Sequence, residues 1–173
     1  MYQVLSLYLP AVLMGLGSSM VAPVLPGFAK SFEVSFATAA MVFVAASLGS
    51  VAVAFPAGYL MDKIGRRPVL LAGPIIGAAA SIMTPFSGSF MELLVWRFIS
   101  GCALQLWMQS RLAVIADTAH HRQRARQSQW MMGISRGGNL VGPALGGFLP
   151  AGLGTSIPFV LHGALMLIAV IPS

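Results

Sequence analysis

Residues 34–67 read VSFATAAMVFVAASLGSVAVAFPAGYLMDKIGRR, an apolar stretch that ends in a cluster of charges. No Asp, Glu, Lys or Arg occurs from Val34 to Met61, and four charged residues then follow within 62–67. A charge-free apolar run of about 20 residues spans the hydrocarbon core of a bilayer as a helix. The chain must be helical there because lipid offers no partner to backbone N–H and C=O groups. This stretch therefore predicts a transmembrane helix followed by a charged loop.

Charge-free apolar runs recur along the whole chain, which is 57% hydrophobic and only 8% charged. An ordinary globular protein has about 25% charged residues, and a chain with so few cannot cover a surface that faces water. We therefore expect an all-α, polytopic transmembrane helix bundle that forms a single domain at 1–173, with the lipid bilayer around it. Run lengths and interruptions predict six spans, at about residues 4–28, 36–61, 68–86, 90–116, 127–148 and 157–171.

Basic residues collect in two of the short connections, at 62–67 and 117–126. Short loops rich in Lys and Arg stay in the cytoplasm, and loops two spans apart lie on the same side of the membrane. Both loops are therefore expected inside the cell, together with both termini of a multi-pass cell-membrane protein. The same distribution accounts for the net charge of +6, so we do not interpret that charge as a nucleic-acid-binding surface.

The loop after the second span carries a motif, because residues 58–68 read GYLMDKIGRRP. It resembles the signature loop G-x-L-x-D-r-x-G-r-r of the major facilitator superfamily, with Lys63 at one arginine position. The resemblance implies the N-terminal six-helix half of such a transporter, built from two inverted three-helix repeats. A missing C-terminal six-helix half, or a second copy of the chain, is then the expected protein partner. The expected cytoplasmic gating loop comprises Gly58, Asp62, Gly65, Arg66, Arg67 and, from the fourth span, Asp117.

Asp62 lies at the C-terminal end of the second predicted span, where the helix dipole disfavours an anion. Its carboxylate is therefore better placed to serve the positive N-terminus of another helix. The resemblance implies that this helix belongs to the second half and that the contact helps to hold the outward-open state. Arg66 and Asp117 lie on the same side of the membrane, and with Asp62 they are expected to form a charge network.

The fourth span contains Arg97-Phe98-Ile99-Ser100-Gly101, which resembles the family pattern R-x-x-q-G with serine in place of glutamine. In a helix, Arg97, Ser100 and Arg111 share one face. Membrane arginines usually face a cavity or a partner, so these residues are candidates for a substrate cavity. The alternative is that Arg97 reaches the outer lipid headgroups. Glu92 lies about 140° away around the helix and is not the natural partner of Arg97.

The fifth span reads GNLVGPALGG over residues 138–147, which resembles the core G-x-x-x-G-P-x-x-G-G of a motif typical of antiporters in this family. An upstream glycine of the longer pattern is Gln129 here. Glycines spaced by four let a neighbouring helix approach closely, and an internal proline bends the helix. The resemblance implies antiport, and a general helix-packing face is the alternative. The predicted packing motif comprises Gly138, Gly142, Pro143, Gly146 and Gly147.

Arg136 lies near the middle of the fifth span, on a face that also carries Gln129, Asn139 and Pro143. We expect Arg136 and Asn139 to line a water-filled path, because a deep membrane arginine needs polar surroundings. No well-placed membrane carboxylate in this chain can neutralise Arg97 and Arg136. Their anion is then either an acid from the other half or the substrate itself.

His162 in the sixth span is the candidate for proton coupling, since imidazole is the side chain that exchanges protons near neutral pH. The alternative is a simple packing role. The first span contains no acid, although the resemblance to drug–proton antiporters implies one there or nearby. Proton coupling is therefore not otherwise visible in the sequence.

Together these features predict a secondary active transporter of a small molecule that works by alternating access, with multidrug efflux by antiport as the expected mode. The first alternative is an uptake symporter or uniporter of an organic anion or metabolite. The second is a non-transporting membrane interaction module. No nucleophile stands with a base and an orienting group, and no metal-ligand spacing occurs. Neither an enzyme nor a cofactor or metal site is expected, and the sequence does not identify the substrate.

Single cysteines introduced as Lys63→Cys and Arg124→Cys test the predicted orientation, after the native Cys102 has been replaced by serine. Both positions should resist a membrane-impermeant thiol reagent added to intact cells, because both loops are expected in the cytoplasm. Both should react after the cells are permeabilised. Labelling of either position in intact cells would contradict the topology.

Overall fold

The computed structural model describes the backbone of residues 2–118 and 121–171, with side chains except at 2–7, 118, 121–124 and 150–153. Within these residues the chain is helical throughout, apart from turns, and contains no strand. The predicted all-α class is therefore confirmed. The elements in chain order are α1 (Tyr2–Val21), α2 (Leu25–Lys30), α3 (Phe36–Ala39), α4 (Met41–Ile64), α5 (Arg66–Met83), a 3₁₀ turn (Thr84–Phe86), α6 (Phe90–Thr118), α7 (His121–Leu153) and α8 (Ile157–Val170).

Local sequence accounts for where several of these helices begin and end. The first predicted span consists of α1 and α2, separated by residues 22–24, and Pro23 in this turn has no N–H to continue the helical ladder. Ser35 caps α3, since its Oγ accepts the backbone N–H of Thr38 at 3.1 Å. Gly65 separates α4 from α5 with φ 93°, a conformation that residues with a Cβ rarely adopt.

Two connections are shorter than the sequence predicted. α7 begins at His121 and ends at Leu153, so the expected loop 117–126 and the expected break 150–154 are largely helical. At the first end the stretch RQRARQSQ consists mainly of good helix formers, which extend the helix beyond the membrane-like segment. At the second end Gly154, with φ 94°, is sufficient to end the helix.

Three helical stretches within the described residues are long and apolar enough to cross a membrane: Tyr8–Lys30, Phe36–Ile64 and Arg66–Phe86. They correspond to the first three predicted spans. α6 and α7 are longer, with 29 and 33 residues, but contain more polar groups. α8 is strongly apolar but has 14 residues, which rise about 21 Å as a helix. The membrane character is therefore clearest in the first half of the chain.

The six longer helices pack in the order α4, α6, α5, α8, α1, α7, in which each contacts the next. Neighbours in sequence are therefore often not neighbours in space, and α6 and α7 touch only slightly. Buried apolar side chains at one end of the bundle include Leu25, Val42, Leu93 and Phe159. Those toward the other end include Met14, Trp107, Ile115 and Met166.

Glycines bring α7 onto α1 and α6 onto α4. A Cβ at Gly138 would lie 2.8 Å from the backbone N of Leu16, and a Cβ at Gly146 would overlap the carbonyl of Met20. At the other interface, a Cβ at Gly101 would overlap a backbone carbonyl of α4. Because side-chain carbons do not approach backbone atoms so closely, only glycine lets these helices touch.

The motif at 138–147 is divided between two faces of α7. Gly142, like Gly138 and Gly146, is buried against α1. Pro143 and Gly147 lie on the exposed side of the helix. The glycines spaced by four thus find their neighbour within this chain.

Alanine at Gly146 and at its neighbour Gly147 provides a matched pair of variants. Gly146→Ala should destabilise the bundle by about 1–3 kcal/mol, because the new methyl group overlaps the Met20 backbone. Gly147→Ala should be neutral or stabilise by up to about 1 kcal/mol, because alanine favours a helix and nothing lies within 4 Å of its Cβ. Thermal unfolding of the purified protein in detergent micelles measures both. Equal melting temperatures for the two variants would contradict the close approach of α1 and α7.

Candidate functional site

A cavity of about 260 Å³ lies between α1, α4, α6 and α8. Its apolar walls include Phe43, Leu104 and Met166. The polar side chains that line it are Ser18, Ser47, Ser50, Arg97, Ser100 and His162. Among these described lining residues, Arg97 is the one with a permanent charge. A concave surface that combines apolar walls with a few polar groups is the usual form of a small-molecule site.

The serine hydroxyls on α4 and α6 point their hydrogens at helix carbonyls. Ser47 Oγ donates to Phe43 O at 3.0 Å, and Ser100 Oγ donates to Trp96 O at 2.9 Å. Ser50 Oγ likewise donates to a carbonyl one turn back, and it also lies 3.1 Å from a carbonyl of α6. Since each hydroxyl has one hydrogen and uses it within the protein, its oxygen is left as an acceptor.

Arg97 on α6 supplies positive charge to the cavity. The side chain is half-buried, and its Nε is buried with no hydrogen-bond partner among the residues the structure describes. Glu92, earlier on the same helix, caps the start of α6 instead, because its Oε2 accepts the N–H of Gly88 at 2.9 Å. A buried cationic N–H that lacks an acceptor costs free energy. The site therefore favours a group that brings an acceptor to Arg97.

His162 on α8 supplies a fixed imidazole, and the residue is 4% exposed. Its Nδ1 lies 3.0 Å from Ser81 Oγ, which lies 2.9 Å from Phe159 O. A carbonyl oxygen can only accept, so the single hydroxyl hydrogen of Ser81 goes to Phe159, and Nδ1–H of His162 donates to Ser81. Nε2 then carries a lone pair. That atom is buried and has no partner in the described part of the chain.

Gly17 on α1 makes room for the imidazole ring. A Cβ at this position would lie 2.6 Å from His162 Cδ2, so a larger residue would push the ring away. The ring is thus held by α5 on its Nδ1 side, through Ser81, and by α1 at Cδ2. Nε2 lies next to Cδ2 and on the opposite side of the ring from the bond to Ser81. It therefore faces away from α5.

The structure brings together three residues that the sequence analysis selected, since Arg97, Ser100 and His162 all line the cavity. The sequence analysis did not select the serines of α1 and α4 that complete its wall. Ser47 and Ser50 are three residues apart, which places them on one face of a helix. Polar residues on one face of an otherwise apolar span were the signal that could have found them.

The other predicted substrate residues lie elsewhere. Arg111 is 2% exposed and stacks over Trp107, with 5.6 Å between its Cζ and the ring centroid. Such a cation over an indole face is attracted to it. Arg136 and Asn139 lie on the exposed face of α7 and do not line the cavity. They share that face with Pro143, opposite the buried glycines.

Arg66 and Asp117 form an ion pair that joins the start of α5 to the end of α6. Arg66 Nη1 also donates to Ala113 O at 2.9 Å. The two side chains are 38% and 52% exposed, so solvent screens the pair and it contributes about 1 kcal/mol or less to stability. Asp62 is exposed and forms no ion pair with any described residue. Two members of the expected charge network are therefore in contact, and the third is open to another partner.

The remaining residues of the expected gating loop surround this ion pair. Gly65 provides the turn between α4 and α5. Arg67 is exposed, and a Cβ at Gly58 would meet nothing within 4 Å. Gly58 is therefore not required by any contact within the described chain.

Comparison with known proteins agrees with these features. Residues 7–172 match the family model for the Major Facilitator Superfamily. The chain is 29% identical over 171 residues to Quinolone resistance protein NorA of Staphylococcus aureus (strain MRSA252), which covers 99% of this chain and 44% of that protein. It is 25% identical over 158 residues to Multidrug resistance protein 2 of Bacillus subtilis (strain 168), covering 91% of this chain and 39% of that protein. The chain thus spans less than half the length of these relatives.

The match covers almost the whole chain, and it includes all three motifs, at 58–68, 97–101 and 138–147. The predicted resemblance to the drug/proton antiporter-like group is confirmed by relatives named for quinolone and multidrug resistance. The family consists of membrane transporters, so the expectation that the chain is not an enzyme is confirmed as well. On this match the chain belongs to the Major Facilitator Superfamily.

Proposed function

We propose that this chain is one six-helix half of a secondary transporter that exports small molecules, multidrug substrates among them, by antiport. The observation that carries the proposal is the similarity to quinolone and multidrug resistance proteins over 99% and 91% of the chain. The motif at 138–147 supports antiport, because its pattern is typical of antiporters in this family. The direction of transport separates this proposal from uptake of an organic anion.

The pairing of the helices supports six spans arranged as two inverted three-helix repeats. Exchange of α1 with α6, of α4 with α7 and of α5 with α8 converts the α1–α7 contact into the α6–α4 contact. The same exchange converts the α5–α6 contact into the α8–α1 contact and leaves α5–α8 unchanged. One operation therefore relates all five of the largest interfaces in the described bundle, as a duplicated three-helix unit requires.

Alternating access is proposed to occur by movement of this bundle as a body against a second half. The interfaces at which backbones touch, around Gly101 and Gly146, support this because close-packed helices resist sliding. Arg136 and Asn139 on the exposed face of α7 are then available to a path that the second half completes. Both termini and the Arg66–Asp117 pair are proposed to lie on the cytoplasmic side.

The cavity between α1, α4, α6 and α8 is proposed as part of the substrate path. Arg97 and Ser100 reach it from α6, and His162 reaches it from α8. His162 is proposed as the group that couples transport to protons. The support for this role is that its Nε2 is unpartnered among the described residues while its Nδ1 is held by Ser81.

Asp62→Asn tests the proposed contact between Asp62 and a helix of the second half. The variant should lower transport several-fold in the assembled transporter, which consists of this chain and its second half. The reason is that an anion at a helix N-terminus contributes about 1 kcal/mol, here to the contact that is proposed to hold the outward-open state. Expression and melting temperature should be unchanged, since Asp62 is exposed and unpaired within the described bundle. Lys63→Gln in the same loop serves as the matched control and should transport normally. Normal turnover by Asp62→Asn would leave this carboxylate without a gating role.

Export of norfloxacin, a fluorescent quinolone, tests the proposed function itself. Everted vesicles that contain the assembled transporter should accumulate norfloxacin when a proton gradient is imposed, and a protonophore should abolish the accumulation. Residues 1–173 alone, reconstituted as a demonstrated monomer, should give no net transport, because the path lies between two halves. Net transport by the monomer would contradict the half-transporter proposal. Absence of gradient-driven export by the assembled transporter would contradict the antiport proposal.

A further inference from the structure

Two residues that line the cavity each hold an unpartnered polar atom, and the two atoms are of opposite kind. Arg97 Nε carries a hydrogen and can only donate, whereas His162 Nε2 carries a lone pair and can only accept while the ring is neutral. Both atoms are buried, and neither has a hydrogen-bond partner in the described chain. Buried polar atoms normally find partners, so an unpartnered pair in one cavity points to a ligand that is not part of the described chain.

The kind of ligand follows from this pair. An ammonium group satisfies the lone pair of His162 but is repelled by Arg97. An ester, a ketone or a fully ionised anion brings acceptors to Arg97 but has no hydrogen for Nε2. A carboxylic acid brings both, because its carbonyl oxygen accepts from Arg97 while its hydroxyl donates to His162. Hydrogen bonds to a charged group such as guanidinium are stronger than neutral ones, which favours this pairing.

We propose that Arg97 and His162 together bind one carboxyl group of the transported molecule. The inference rests on the proposed transport function and narrows its substrate class. The cavity volume of about 260 Å³ is slightly below the range of sites that enclose a whole drug-sized ligand. It suits one end of a larger molecule. Leu104 and Phe43 on its wall are 38% and 42% exposed, so the rest of the ligand can extend outward past these two side chains.

The bound acid can also pass its proton within this site. The acid O–H bond breaks, a bond from that hydrogen to His162 Nε2 forms, and the electron pair stays on the carboxylate oxygen. Before the transfer Arg97 is the one charge, and after it the carboxylate lies between two cations, so the net charge stays +1 throughout. Ser81 holds Nδ1 in both states, because Nδ1 keeps its hydrogen. Substrate and proton then share one site.

Among the residues that the structure describes, Arg97 and His162 are the titratable side chains that line the cavity. α1 and α4 contribute only serines as polar lining groups, and α5 contacts the imidazole through the hydroxyl of Ser81. α6 contributes Arg97 and Ser100. A change in protonation that accompanies ligand binding at this site can therefore be assigned to His162 or to the ligand.

The first test measures the imidazole directly. His120→Gln and His121→Gln leave His162 as the one histidine in the 173-residue chain, and ¹⁵N NMR of this protein in nanodiscs reports both ring nitrogens. Without ligand, Nδ1 should give a protonated, pyrrole-type signal and Nε2 an unprotonated, pyridine-type signal. The opposite assignment would overturn the proposal. The proposal would also be overturned if Nε2 were already hydrogen-bonded to a carboxyl group before any ligand is added, since a side chain of the protein would then fill the site.

The second test compares three probes of similar size in the same sample. At neutral pH benzoic acid is ionised in solution, so it should take up one proton from water as it binds, and it should shift the Nε2 signal toward the protonated position. Methyl benzoate, which lacks the hydrogen, and benzylamine, which carries the wrong charge, should bind about 10-fold more weakly or not at all. Equal binding of benzoic acid and methyl benzoate would overturn the proposal without the need for any variant.

Variants then assign the binding to the two residues. Arg97→Gln should weaken benzoic acid binding by about 10-fold or more, because a charge-assisted hydrogen bond is lost. Ser81→Ala should weaken it several-fold, because the ring is no longer held in one tautomer. Arg126→Gln removes the same charge from an exposed site on α7 and should leave binding unchanged. Undiminished binding by Arg97→Gln, with the fold intact by melting temperature, would refute the assignment.

These measurements separate the inference from the proposed function. Binding is measured in the purified chain and does not depend on transport, so a carboxyl site can be present even if norfloxacin is not exported. Conversely, an exporter that prefers amines or esters and shows no response of His162 to benzoic acid would retain its transport function and lose the carboxyl site.

Discussion

Polar groups in this bundle must find hydrogen-bond partners inside the protein, because the lipid around it provides none. The backbone meets this requirement by remaining helical through nearly every described residue. Polar side chains meet it by bonding back to helix carbonyls, as Ser47 and Ser100 do one turn away. The few groups that do not meet it are informative. Two of the buried side-chain atoms without a partner in the described part of the chain belong to Arg97 and His162, which line the same cavity, and this directs attention to ligand binding.

A second property of lipid explains the close helix packing. Lipid is as apolar as the side chains themselves, so the hydrophobic effect does not drive the helices together. The helices are held instead where their backbones touch, at glycines such as Gly101, Gly138 and Gly146. These contacts pair α1 with α7 and α4 with α6. They also explain how a polar cavity arises in a well-packed bundle. α1 packs closely against α7, and α4 packs closely against α6, which leaves space between the two pairs. His162 of α8 fills part of this space, and Gly17 makes room for its ring.

Exposed and buried charges in this bundle differ in what they cost when unpaired. Arg66 and Asp117 are partly exposed, so their ion pair adds little to stability and can open without a large cost. A weak, water-accessible contact of this kind suits the gating role proposed for this loop. Arg97 has no such access to water at its buried Nε. Its charge is more costly to leave unpaired, and the proposed carboxyl ligand would recover that cost on binding.

The sequence alone determined the helical class, the membrane environment and the family, because these depend on composition, on run length and on motifs that are contiguous in the chain. It also selected Arg97, Ser100 and His162, since a polar residue is conspicuous in an apolar span. α7 extends beyond the predicted span 127–148 at both ends, where helix propensity and Gly154 decide the boundary rather than hydropathy. Which of the selected residues meet was decided by tertiary structure, because α6 and α8 lie far apart in the chain. The separation of Arg136 from the cavity and the Ser81 bond that orients His162 both depend on how the helices pack, and no local pattern of residues contains that information.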